Sequence, residues 1–160
     1  MLKVMTVDDS STITRVYQNI LPKIFKDDIE LIQGNDGQEG LKLLSKNEDI
    51  RIIFLDINMP IMNGIDMLKK LRTNKEYNQI RVVMVTTEAE KKTVMATMKL
   101  GANGYIIKPF NIDVMRKSLQ PILTRMNLGL NEKIGRVKTL FKFDKMVSKK
   151  GLFTMSCKKV

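Results

Sequence analysis

Up to residue 126, short apolar runs alternate with segments whose apolar residues recur every three or four positions. The runs are Leu2–Val7, Ile29–Gln33, Ile52–Leu55, Val82–Thr86 and Gly104–Ile107. Two of them, "IIFL" at 52–55 and "VVMV" at 82–85, are apolar at every position. A strand with one face in water alternates, so runs of this kind predict central parallel strands covered on both sides. The periodic segments predict helices. Ile13, Val16, Tyr17, Ile20, Leu21 and Ile24 mark the first, Leu41 and Leu44 the second, and Met67, Leu68 and Leu71 the third. Val94, Met95 and Met98 mark the fourth, and Ile112, Met115, Leu119, Ile122 and Leu123 the fifth. Proline breaks the hydrogen-bond ladder of a helix, so Pro121 is expected to bend or weaken the last turns of the fifth. Five strands alternating with five helices predict an α/β domain with a doubly wound parallel sheet, helices lying on both faces.

The alternation stops after Met126, and the charge changes with it. Residues 1–126 hold 19 Lys and Arg against 15 Asp and Glu, whereas residues 127–160 hold 9 against 2. Most of the net +11 therefore sits in the last fifth of the chain, which sets a boundary near residue 127. This basic extension reads as a short helix, with Ile134, Val137, Leu140 and Phe141 on one side, and/or a flexible end, the alternative being a strand in which Phe141 and Phe143 alternate. Lys138, Lys142 and Lys145 beside Phe141 and Phe143 would suit an acidic protein, nucleic acid or a membrane surface. No helix-turn-helix or zinc-finger pattern supports nucleic acid as the main partner. No apolar run approaches the ~18 residues of a membrane span, and no signal peptide is legible, so the expected location is the cytoplasm.

Residue types narrow the chemistry further. The chain has no histidine and one cysteine, Cys157. Imidazole-based zinc sites, Ser-His-Asp triads and histidine phosphodonors are excluded, and an intrachain disulfide is impossible. The twelve methionines fall mostly at apolar positions and read as core filler. In parallel sheets of this kind, ligands bind beyond the carboxyl ends of the strands. The first predicted strand is followed by Asp8, Asp9 and Ser10, the third by Asp56, the fourth ends at Thr86 beside Thr87, and the fifth is followed by Lys108 and Pro109. Three carboxylates brought together repel, and a divalent cation relieves the repulsion; an all-oxygen donor set favours Mg2+, Ca2+ or Mn2+. A carboxylate can serve as a phosphoryl acceptor, with Lys108 and a metal neutralising the transferring oxygens. Each residue also has a plainer role: Asp9 or Ser11 as a helix cap, Met59-Pro60 and Asn63-Gly64 as turns, Tyr105 as a sheet residue.

In order and spacing, "VDDS" at 7–10, "LDINMPIMNG" at 55–64, "VTTE" at 85–88 and "KPF" at 108–110 resemble the response-regulator receiver signature. Single-domain, CheY-like chemotaxis regulators are the members most like it, and the resemblance covers residues 1–126. It implies a flavodoxin-like strand order of 2-1-3-4-5. It implies phosphorylation of Asp56 by a histidine kinase. Mg2+, or Mn2+ in its place, would be held by Asp9, Asp56 and the backbone carbonyl of Asn58, with Asp8 acting through bound water. Thr86 and Lys108 would hold the phosphoryl group, and Tyr105 would turn inward as Thr86 moves. Asn58 and Glu88 would tune dephosphorylation, and the Lys108–Pro109 bond would be cis. The expected protein is a signalling switch with self-catalysed phosphoryl transfer and autodephosphorylation, not an enzyme acting on a separate substrate. It would be a monomer or weak dimer, its partner a protein such as a flagellar motor switch protein. A receiver acting through its basic tail and a phosphate sink without output are the alternatives. A haloacid-type phosphatase is disfavoured because Asn58 stands where that family has an acid–base aspartate.

Overall fold

A computed structural model of the chain describes residues 1–126 and 152–153. Strand β1 (Leu2–Val7) leads into helix α1 (Ser11–Phe25), followed by β2 (Ile29–Gly34), α2 (Gly37–Lys46), β3 (Ile50–Leu55) and α3 (Gly64–Thr73). A 3-10 turn at Lys75–Gln79 precedes β4 (Arg81–Thr86), α4 (Lys91–Lys99), β5 (Gly104–Ile107) and α5 (Ile112–Arg125). The strands lie in the order β2-β1-β3-β4-β5, all parallel. A two-residue strand, β6 (Leu152–Phe153), pairs antiparallel with β5 and completes the sheet.

Alternation along the strands sorts the core into two layers. Val4, Ile52, Phe54, Val83, Val85 and Ile106 pack with Tyr17, Leu21, Met115 and Leu119, so α1 and α5 cover one face. Met5, Val7, Ile53, Leu55, Val82, Met84 and Tyr105 pack with Leu44, Met67, Leu68, Leu71 and Val94, so α2, α3 and α4 cover the other. Successive strand residues point to opposite faces, and here both faces are dry. Each fully buried Leu, Ile or Val contributes about 1.5–3 kcal/mol, so the strands that carry the site's residues are held rigidly.

The five parallel strands and five helices follow the sequence pattern, with small shifts at their ends. β3 begins at Ile50, earlier than the apolar run suggests, because Ile50 pairs with Lys3 at an irregularity in the β1 ladder. Helix α5 runs through Pro121 to Arg125 as one element, and α1 likewise contains Pro22. Buried Leu119, Ile122 and Leu123 anchor the last turns of α5 on both sides of its proline. α1 stops where Lys26 and Asp27 adopt left-handed backbone, φ 56° and 59°. The short helix expected over residues 134–141, the basic and aromatic residues beside it, and Cys157 lie outside the described residues. Among the described residues, no helix is long and apolar enough to cross a membrane.

Candidate functional site

The carboxyl ends of β1 and β3 are locked side by side. The Asp56 N–H donates to the Val7 carbonyl at 2.9 Å, and the Asp8 N–H donates to the Gly34 carbonyl at 3.1 Å. Asp8 and Asp56 thus leave the sheet from adjacent strands, and both are buried. The Ser10 N–H donates to Asp8 Oδ1 at 3.0 Å, which orients that carboxylate. Ser10 also caps α1, its Oγ accepting the Ile13 N–H. The cap expected of Asp9 or Ser11 is therefore made by Ser10, and the carboxylate of Asp9 stays exposed beside the other two.

Asp56 is enclosed from the far side by the start of α3. Asn63 is not merely a turn residue: its Oδ1 accepts the Asp66 N–H at 2.9 Å and caps the helix. Gly64 donates its N–H to the Ile57 carbonyl at 2.9 Å. A Cβ on Gly64 would lie 1.9 Å from the Asp56 carbonyl oxygen, so no larger residue fits without moving the backbone that carries Asp56. Its place in the "LDINMPIMNG" run is the signal that could have marked Gly64 as part of the site.

One oxygen from each of Asp8, Asp9 and Asp56 lies within 4.8 Å of the others. Lys108 meets two of them: Nζ is 2.7 Å from Asp8 Oδ2 and donates to Asp56 Oδ2 at 2.9 Å. The other Asp56 oxygen accepts the Ile57 N–H at 2.7 Å. The Lys108–Pro109 peptide is cis. Burial raises the Asp8 carboxyl above its ordinary range, while the bonds from Lys108 and Ser10 pull it back only in part. Three carboxylates share one ammonium, so the site is short of positive charge. That deficit, with oxygen as the only donor type, suits a hard divalent cation.

A second set of contacts leads away from the carboxylates. Thr86 is buried at the end of β4, and its Oγ1 accepts the Glu88 N–H at 3.3 Å; among the described residues its hydroxyl makes no hydrogen bond to Asp56 or to the Lys108 side chain, while its carbonyl accepts the Lys108 N–H at 2.9 Å. The Tyr105 hydroxyl donates to the Glu88 carbonyl at 2.9 Å, and the ring is 1% exposed. Tyr105 therefore already points inward, and burial pushes its phenol well above the usual range. Asn58 Nδ2 donates to Glu88 Oε1 at 3.3 Å, so the two residues that the family resemblance links to dephosphorylation touch across the site's mouth. Thr87 is exposed. Tyr17, which the sequence reading treated only as helix core, packs between Phe54 and Phe110 at ring distances of 5.6 and 5.7 Å. It therefore lies beneath the loop that presents Lys108.

The family model described as "Response regulator receiver domain" matches residues 4–120. The chain belongs to the response regulator receiver family. This receiver is 41% identical over 122 residues to the chemotaxis protein CheY homolog of Campylobacter jejuni, a match covering 76% of this chain and 92% of the relative. The structure of the chemotaxis response regulator CheY4 of Vibrio cholerae superposes with a TM-score of 0.69 at 32% identity, covering 77% of this chain and 99% of CheY4. The Mn2+-bound response regulator Rcp1 superposes with a TM-score of 0.61 at 27% identity, covering 78% of this chain and 93% of Rcp1. The receiver is thus CheY-like in fold and sequence, and receivers of this kind are signalling switches.

Proposed function

We propose that this receiver is a phosphorylation switch in which Asp56 accepts a phosphoryl group from a histidine kinase. The observation that carries this reading is the ion-paired cluster. Asp8, Asp9 and Asp56 converge within 4.8 Å, and Lys108 reaches both buried carboxylates. An Asp56 oxygen attacks phosphorus, the new P–O bond replaces the P–N bond of the kinase's phosphohistidine, and the imidazole leaves with that electron pair. Lys108 then turns from the Asp56 carboxylate to the phosphoryl oxygens, and the Thr86 hydroxyl donates to one of them. Asp9, Asp56 and the Asn58 carbonyl, with Asp8 acting through bound water, are the groups that would hold Mg2+ or Mn2+, which supplies positive charge against the transferring oxygens. The Mn2+-bound state of the related Rcp1 supports that assignment.

Movement of Thr86 changes the β4–α4 loop, because Thr86 Oγ1 accepts from Glu88 and the Glu88 carbonyl accepts from Tyr105. The surface formed by α4, β5 and α5 then changes for a protein partner. The CheY relatives support a chemotaxis pathway, and the family resemblance implies a flagellar motor switch protein as that partner. Asn58 and Glu88 flank the acyl phosphate and set how readily water reaches it. Incubation with acetyl phosphate and Mg2+, followed by intact mass, tests the assignment. One labile phosphoryl adduct is expected on the wild type and none on Asp56→Asn; an adduct that persists in the variant overturns it.

A further inference from the structure

β5 is the last of the parallel strands, and a bare edge offers unpaired N–H and C=O groups to any extended segment. Here Leu152–Phe153 lies along that edge, with Leu152 opposite Ile106 and Phe153 opposite Tyr105. The pairing therefore falls on Tyr105, whose hydroxyl holds the Glu88 carbonyl, and on Ile106, two residues before Lys108. Backbone direction makes the contact specific. The Lys108 N–H donates inward to the Thr86 carbonyl at 2.9 Å. Peptide groups along a strand alternate sides, so the Ile106 N–H also faces β4 while the Tyr105 N–H faces β6.

We propose that the edge of β5 is a strand-docking site, that its resident occupant is the chain's own segment at Leu152–Phe153, and that phosphorylation of Asp56 tightens the docking. With Tyr105 buried against the α4 side of the sheet, the edge is left to backbone pairing. A ring released from Glu88 and turned to solvent has to pass over that edge. Docking and the inward Tyr105 are thus compatible, and whatever draws Tyr105 inward favours both. By linkage, the docked segment favours the phosphorylated state as much as phosphorylation favours docking. An external extended segment that adds to β5 must first displace β6. The coupling rests on the phosphorylation of Asp56 proposed above; the docking does not.

Amide exchange by NMR on the full chain tests both parts, with beryllium fluoride and Mg2+ as the phosphoryl mimic. The Tyr105 amide is expected to exchange at least about tenfold more slowly in the wild type than in Phe153→Pro, which has no N–H to return to Tyr105. The Ile106 amide, bonded within the β4–β5 ladder, stays equally protected in both and reports an intact receiver. The mimic is expected to slow Tyr105 exchange by a further fivefold or so in the wild type, and to have no effect in Asp56→Asn. Equal Tyr105 exchange in wild type and Phe153→Pro overturns the docking. If the mimic shifts the Thr86 and Lys108 signals but leaves Tyr105 unchanged or faster, the coupling is overturned. If the mimic shifts nothing, the Asp56 reading fails and takes the coupling with it, while docking stands on the Phe153→Pro comparison.

Discussion

Lys108 and Arg72 are buried or partly buried cations at opposite ends of one sheet, and they are satisfied in opposite ways. Lys108, at the carboxyl ends, is paired with two carboxylates, Asp8 and Asp56. Among the described residues, Arg72, beyond the amino ends of β4 and β5, meets only neutral oxygens. Its Nε donates to the Gly101 carbonyl at 3.0 Å and Nη1 to the Tyr77 carbonyl at 3.1 Å. Nη2 donates to the Ile80 carbonyl at 3.0 Å and to Asn103 Oδ1 at 3.4 Å. A guanidinium has five donors in a fixed fork, so it can hold four acceptors at once, Tyr77 and Ile80 before β4 and Gly101 and Asn103 before β5. Carbonyls neither titrate nor become phosphorylated, so that clamp is permanent. A carboxylate can be protonated, metallated or phosphorylated, so the Lys108 pairing can be redistributed. The amino end of the sheet is built to stay and the carboxyl end to change.

The comparison breaks if the two cations respond alike to their removal. Lys108→Ala leaves two buried carboxylates without their cation, an expected loss of about 3 kcal/mol in urea unfolding without metal. Added Mg2+ is expected to restore much of it. Arg72→Ala strands four acceptors, some of which reach water, for an expected loss of about 2 kcal/mol. Mg2+ is expected to restore none of that loss beyond what it gives the wild type. Equal rescue of both variants, or rescue of neither, removes the distinction.

A pH series sharpens it. Burial raises the Asp8 carboxyl in the folded protein, so the native state holds this proton to higher pH than the unfolded chain does. Stability from this group is therefore full at low pH and declines as pH rises above the ordinary carboxyl value of 3.8 and through the raised one. In metal-free buffer, Asp8→Asn is expected to lack that declining component of the urea midpoint. If wild type and variant show the same slope, the ionised Asp8 carries no such cost. Among the described residues, the Arg72 end has no carboxylate in contact, and it contributes no counterpart.

The two ends also differ in how far the sequence disclosed them. Asp8, Asp9, Asp56, Thr86 and Lys108 were legible because each stands at the end of an apolar run. Strand ends in a parallel sheet converge on one edge, and the motif resemblance supplied their order. Arg72 was not legible. Its partners are backbone carbonyls, which carry no residue-specific signal, and in sequence it is one more basic residue on a helix. Ser10 was missed as the cap because three neighbouring residues can cap, and only the Asp8–Ser10 contact selects among them. The inward Tyr105 and its Glu88 carbonyl partner depend on a rotamer, which composition does not encode. The β5–β6 pairing was invisible because two residues are too few for any periodicity.

Strain separates the two ends once more, and offers the smallest test. At the Arg72 end the positive φ falls on a glycine: Gly101 has φ +101°, and an added Cβ would sit 2.9 Å from Arg72 Nε. At the Lys108 end it falls on Ile61, φ 63°, a β-branched residue that is 79% exposed. The Met62 N–H donates to the Pro60 carbonyl at 2.6 Å, closing a three-residue turn around Ile61. A β-branched side chain is disfavoured in that backbone region, and exposure leaves little packing to offset the strain. Ile61→Gly is expected to raise unfolding stability by about 1 kcal/mol, the relieved strain exceeding the entropy that glycine loses on folding. Ile61→Ala keeps a Cβ and is expected to gain less. Gly101→Ala is expected to lose about 1–2 kcal/mol, because both its φ and the guanidinium oppose the new methyl. A loss in Ile61→Gly would mean that the exposed isoleucine is held by contacts that outweigh its strain. The loop beside Asp56 would then be as settled as the Arg72 clamp, and the contrast between the two ends would rest on charge alone.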